Sequence, residues 1–186
     1  MEALEDAASP GMRTGILAAR TLERACREHE PPPGDARLGL YLNSVQDLAR
    51  SLGLELSALS QSAGLETQGL TPPGTVGSST SLGNSGGSGS LGTALVSAAL
   101  LAADLATLAA CTAPELPPES AGYFRAIEAS RLAAASAQSM VLEHRAFWAA
   151  GSSGEPGDYE KRDLRGAEWR ASLVSRQIED MLREED

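Results

Sequence analysis

The sequence predicts an all-α protein: a bundle of about five helices, two N-terminal and three C-terminal, interrupted by a disordered Gly/Ser-rich loop. Three observations lead to this fold class. The hydrophobic residues, 42% of the 186, are mostly alanine and leucine, which form helices readily. Aromatic residues, which favour sheets, make up only 4% of the chain. Apolar side chains recur at three- and four-residue steps, as they do on the buried face of a helix.

Residues 1–63 are predicted to form a helical pair. Ser9 and Pro10 are typical of an N-cap and the first helical residue after it. The three prolines at 31–33 end this first helix, because proline cannot continue it. Asp35 can cap the second helix, which Gly53 either ends or kinks. The second helix has its apolar face at Leu38, Tyr41, Leu42, Val45, Leu48, Ala49 and Leu52.

Residues 64–92 are predicted to form a flexible linker. The segment consists almost entirely of Gly, Ser, Thr and Pro with scattered apolar residues, and Glu66 is its one charged residue. Such a composition buries too little apolar surface to offset the entropy lost on ordering. Two helices alone also bury too little surface to be stable. We therefore expect residues 1–63 to pack with residues 93–186 as one domain.

Residues 93–186 are predicted to form three helices. The first, from Thr93 to about Thr112, is apolar on nearly all sides and is expected at the centre of the bundle. Asp104 lies within its apolar run, where a charge would cost about 3 kcal/mol in a bilayer, so no membrane span is expected. The next helix runs from about residue 118 to Ala150, and the last begins near Asp158.

The charge of the chain limits its partners. A net charge of −10 argues against nucleic acid and anionic membranes, which bind basic surfaces, although a local basic patch can exist. Residues 1–6 are acidic where a secretory signal would be basic and then apolar, so a cytoplasmic or nuclear location is expected. Cys26 and Cys111 are too few for a disulfide framework and are expected to be buried thiols.

The sequence shows no pattern of a catalytic site, a cofactor or a metal, and it favours a non-enzymatic role. Glu23, Cys26 and His29 share a helical face, but no second cluster nearby in the sequence would complete a metal site. Residues 87–92 match G-x-G-x-x-G, yet no predicted strand precedes them, as a dinucleotide-binding unit requires.

Residues 45–64 carry the spacing of a helix-turn-helix. Ala49 and Gly53 lie four residues apart. Leu48, Leu52 and Leu54 are expected at inward positions, and Leu59 at the inward position of the second helix. The second helix of this motif would contain no Arg or Lys to contact a base or a phosphate. A DNA-binding regulator is therefore the alternative function, behind protein–protein interaction.

Two features indicate a protein interface. The last helix carries an apolar stripe that can pack on a partner or on a sister helix. The tryptophans and Phe147 do not all fit a single buried face, and tryptophan is enriched at interfaces. The predicted function is thus a helical interaction or scaffold subunit of a larger intracellular assembly, with a protein partner or a second copy. The interface residues are Leu164, Val174, Ile178, Met181, Phe147, Trp148 and Trp169. Ser9 and Thr71 precede proline and are predicted phosphorylation sites.

Overall fold

The computed structural model describes residues 9–29, 35–68, 87–150 and 156–183. Within these ranges the chain forms five α-helices and no strand, as the sequence predicts. A short 3₁₀ turn, Ala113–Glu115, follows the third helix. The helices are α1 (Pro10–Glu28), α2 (Ala36–Gln68), α3 (Gly87–Thr112), α4 (Ala121–Ala149) and α5 (Asp158–Arg183).

Helices α1 to α4 form a bundle in which neighbours run antiparallel, and α5 packs on α3 and α4 from outside. Gly15 of α1 faces Leu56 of α2, whereas Ala19, one turn later, faces the earlier residue Gly53. Helix α5 instead runs parallel to α3. Its Glu160 contacts Thr93 near the start of α3, and its Arg170 pairs with Asp104 further along.

Small residues let α1 and α4 approach closely. A Cβ atom built on Gly15 would lie 2.8 Å from Oγ of Ser136, and one built on Gly11 would lie 2.6 Å from Cγ of Met140. The Ser136 hydroxyl donates a 2.7 Å hydrogen bond to the carbonyl oxygen of Gly11. No larger side chain fits at either glycine unless the two helices separate.

Helix α1 begins at the predicted cap, where a carboxylate from α4 joins it. The Ser9 hydroxyl accepts the Met12 N–H at 3.2 Å and donates to Glu143. Glu143 also accepts the Gly11 N–H at 3.0 Å, so an α4 side chain satisfies a free amide of the first turn of α1. Phosphorylation of Ser9 stays a prediction, and a phosphate there would lie beside this carboxylate. Thr71 lies outside the described residues.

Helix α2 begins after the predicted cap and does not end or break at Gly53. The Asp35 carboxylate accepts the Leu38 N–H at 3.0 Å, and the helix then continues to Gln68. A Cβ at Gly53 would lie 3.0 Å from that of Ala19, so this glycine serves the close contact with α1. Helices α2 and α3 both extend into the predicted linker 64–92, and residues 69–86 lie outside the described part of the chain.

Helix α3 contacts α2, α4 and α5 but keeps one stripe exposed. The stretch Leu91–Glu115 is long and apolar enough to cross a membrane, and 56% of its most apolar window is buried inside the protein. Asp104 is on the exposed stripe and pairs with Arg170 of α5. Helix α3 thus packs against three helices of the bundle, and the expectation that it spans no membrane stays a prediction. Cys111 lies on the same stripe, so the expectation that both thiols are buried is wrong for Cys111 and correct for Cys26.

Candidate protein interface

The apolar stripe of α5 packs inside this chain. Leu164, Val174 and Ile178 are buried in the core that α3 and α4 share with α5, and Met181 is partly buried against it. The sequence left open whether this stripe meets a partner or a sister helix, and the structure places it on sister helices. These side chains are therefore not available to a partner while α5 is docked.

The opposite side of α5 presents a surface of mixed character, here called the α5 outer face. Trp169 is at its centre with 66% of its surface exposed, and Leu173, one turn later, is 49% exposed. The α5 outer face consists of Arg162, Arg165, Trp169, Leu173 and Arg176. Successive members are 3, 4, 4 and 3 residues apart, which aligns all five on one side of the helix.

The arginines of the α5 outer face differ in their partners. Arg162 lies 3.7 Å from the Asp163 carboxylate, and its guanidinium carbon is 5.3 Å from the centre of the exposed Tyr159 ring. Among the described residues, Arg165 and Arg176 have no ion-pair partner. The arginine of α5 that points towards α3, Arg170, is by contrast held by Asp104.

Phe147 and Trp148 belong to a different cluster, at the end of α4. Both are half-buried, and their rings meet edge to face with centroids 5.5 Å apart. The Trp148 Nε1–H donates to Nε2 of the buried His144 at 3.0 Å, and both aromatic rings lie against the backbone at Gly92 of α3. These two predicted interface residues thus make contacts within the chain, whereas Trp169 points to solvent.

His144 is a buried titratable group in this cluster. Burial lowers the pKa of His144, and the Glu160 carboxylate, 3.9 Å from its Nε2 atom, partly opposes that shift. Because Nε2 accepts the Trp148 N–H, it carries no proton in the neutral form. Protonation of Nε2 would turn this acceptor into an N–H donor that faces the N–H of Trp148, so the hydrogen bond between the two rings would be lost.

The stability of the protein is expected to fall as the pH drops through the ordinary histidine range. The unfolded chain binds the His144 proton more readily than the folded chain, so acidification favours unfolding, and above this range the contribution is fully present. Urea unfolding at several pH values checks this. His144→Gln, which keeps a hydrogen-bond acceptor, should make the free energy of unfolding depend less on pH. The control His29→Gln should keep the part of the pH dependence that comes from His144. An unchanged slope in His144→Gln would contradict the assignment.

The described residues contain no group of three or more His, Cys, Asp or Glu side chains placed to hold a metal ion. Cys26 is buried, which raises the pKa of its thiol to about 11, so it is protonated at neutral pH and is a poor nucleophile. Glu23 is bound by Arg50 at 2.8 Å. A cleft of about 490 Å³ between α2 and α3 has mainly apolar walls, to which Glu55 and Ser97 also contribute.

The turn that a helix-turn-helix at residues 45–64 needs is not observed, whereas DNA binding by this chain stays a prediction. The whole stretch belongs to α2, which is continuous from Ala36 to Gln68, so the turn between two helices is missing. At the residue where the motif needs a turn, Gly53 instead lies within the helix and allows the close approach of Ala19.

Sequence reasoning found Trp169 but not the arginines around it. Apolar residues at helical spacing reveal buried faces, and these arginines are not part of that pattern. The same spacing applied to Arg162, Arg165 and Arg176 would have grouped them with Trp169 on the opposite side of the helix.

Comparisons with protein-family models, with curated proteins and with solved structures found no match to this chain. Its function has to be inferred from its own residues.

Proposed function

We propose that this chain is a non-enzymatic helical subunit of a larger intracellular assembly and that it binds its protein partner through the α5 outer face. The observation that carries the proposal is Trp169, the largest side chain of the helix, at the centre of the face opposite the buried stripe. A tryptophan in this place does not contribute to the core of the bundle. It is available to a partner instead.

The energetics of interfaces support this assignment. Tryptophan and arginine are the residues most enriched among those that dominate binding energy, and they act best when surrounding contacts exclude water. The α5 outer face has Trp169 at the centre and arginines on both sides. Covering Trp169 and Leu173 removes apolar surface from water, at about 25 cal/mol per Å².

Helix α5 is also held firmly enough to present this face. Its inner stripe lies in the core, and ion pairs connect it to both neighbours, Arg170 with Asp104 of α3 and Glu168 with Arg145 of α4. A rigid helix loses little entropy when a partner binds, which favours affinity.

Capture of a partner by the tagged full-length chain tests the proposal. The wild-type chain is expected to retain a stoichiometric protein partner from an extract of its own cells, and Trp169→Ala should lose it, with unchanged circular dichroism. Leu54→Ala is the matched control, because Leu54 of α2 is exposed to a similar extent, 65%, on another face. Retention of the same partner by Trp169→Ala, or the absence of any partner, would refute the proposal.

A further inference from the structure

We infer that the partner of the α5 outer face is an acidic amphipathic protein segment, with apolar side chains that cover Trp169 and Leu173 and carboxylates that meet Arg165 and Arg176; this inference rests on the proposed function. Charge complementarity identifies the partner. Between residues 162 and 176, the side chains that point directly outward carry positive charges only. The nearest exposed carboxylates beyond the two ends of the face are Asp158, Glu179 and Asp180. At its sides, the carboxylates of Asp163 and Glu168 pair with Arg162 and Arg145.

Arg165 and Arg176, which have no ion-pair partner in the described part of the chain, define where the carboxylates of the partner segment must lie. Arg165 precedes Trp169 by four residues and Arg176 follows it by seven, so both guanidinium groups are on the side of the indole ring. Arginine binds carboxylates through two parallel hydrogen bonds. A segment with acidic residues on both sides of an apolar centre would therefore pair with the two arginines and cover Trp169 and Leu173 at the same time.

A second copy of this chain fits the face poorly. An antiparallel pair of α5 helices that brings Trp169 against Leu173 of the other copy also brings Arg165 beside Arg176 of that copy. A parallel pair places each arginine beside its own counterpart. Both arrangements oppose like charges, which disfavours association.

An anionic membrane is also a poorer fit. A helix that lies on a bilayer buries a broad apolar face, whereas this face offers two large apolar residues between arginines. The chain as a whole carries a charge of −10 and is repelled by an anionic surface at long range. An acidic peptide segment is repelled by the same net charge, but less strongly because it carries far fewer charges than a membrane surface, and it needs only the local contacts of the face.

Binding of designed peptides to the full-length chain tests the inference. The probes are three fluorescein-labelled helical peptides with the same leucine stripe, flanked by Glu, Gln or Lys, and the readout is fluorescence polarisation. The Glu peptide is expected to bind about tenfold more tightly than the Gln peptide and to weaken with added salt, and the Lys peptide should be weakest. Equal binding of the Glu and Gln peptides, or no binding of the Glu peptide up to about 1 mM, overturns the inference.

Charge reversal separates this inference from the proposed function. Arg165→Glu with Arg176→Glu should abolish the preference for the Glu peptide. Arg20→Glu with Arg37→Glu, an equal charge change on exposed arginines of α1 and α2, should preserve it. If Trp169→Ala loses peptide binding while Arg165→Glu with Arg176→Glu keeps the preference for the Glu peptide, the acidic-partner inference is overturned and the proposed function stands. Unchanged binding in both variants overturns the proposed face as well.

Two further measurements test the two other candidate partners of this face, a second copy of the chain and an anionic membrane. Light scattering of the wild-type chain is expected to give the mass of a monomer, and a dimer that Trp169→Ala dissociates would overturn the inference in favour of a second copy. Sedimentation with phosphatidylserine vesicles is expected to leave the chain in solution. Sedimentation that depends on Arg165 and Arg176 would overturn the inference in favour of a membrane.

Discussion

Replacement of Ile178 by aspartate is expected to lower the free energy of unfolding by about 4 kcal/mol, because it removes a buried aliphatic side chain and brings a carboxylate into the core. Ile178 is 1% exposed and lies in the core shared with α3 and α4. The effect belongs to folding and not to a partner, since the isolated chain already covers this side chain. Urea unfolding followed by circular dichroism measures it.

The control for this change is Leu173→Asp on the other side of the same helix. Leu173 is 49% exposed, so its replacement should change the free energy of unfolding by no more than about 0.5 kcal/mol. If Ile178→Asp left the unfolding midpoint of the isolated chain unchanged, the docking of α5 against α3 and α4 would be refuted.

Replacement of Gly15 by leucine is expected to lower the free energy of unfolding by about 3 kcal/mol, because the new side chain has no room between three helices. Its Cβ atom alone would lie 2.8 Å from Oγ of Ser136 and 3.1 Å from Cδ1 of Leu56. Accommodation requires α1 to move away from α4, which also strains the bond from Ser136 to the Gly11 carbonyl.

Gly166 provides the matched control. It also lies within a helix, but a Cβ atom there meets nothing within 4 Å. Gly166→Ala should therefore raise the free energy of unfolding by up to about 1 kcal/mol, through the higher helix propensity of alanine. Thermal melts of the two variants should shift in opposite directions. A Gly15→Leu protein with the same melting temperature as the wild type would contradict the close packing of α1 on α4.

Helix starts were predictable where a local signal exists. The Ser9 hydroxyl and the Asp35 carboxylate cap the helices that their positions predicted, because capping depends on neighbours in sequence. The role of Gly53 depends on Ala19, which lies 34 residues away in sequence, so no local pattern distinguishes a stop from a close contact. The start of α3 at Gly87 also differs from the predicted Thr93, because glycine and serine are poor helix formers and their local preference does not indicate a helix there.

The candidate interface was predictable only in part. Spacing of apolar residues shows that one side of α5 is buried but not what covers it, so a partner and a sister helix gave the same pattern. Trp169 stood out because it falls off that pattern. Phe147 and Trp148 could not be assigned, because their contacts with each other and with Gly92 depend on how α3 and α4 meet.

The carboxylate of Glu143 at the start of α1 has a consequence for the order in which the protein forms. Ser9 and Glu143 are 134 residues apart, so α1 leaves the ribosome well before α4, its final neighbour, exists. At about 5–20 residues per second, that delay lasts many seconds, during which the side of α1 that packs on α4 stays uncovered. Contacts between such distant residues also slow folding. Chaperone binding to nascent chains should therefore be strongest before α4 emerges.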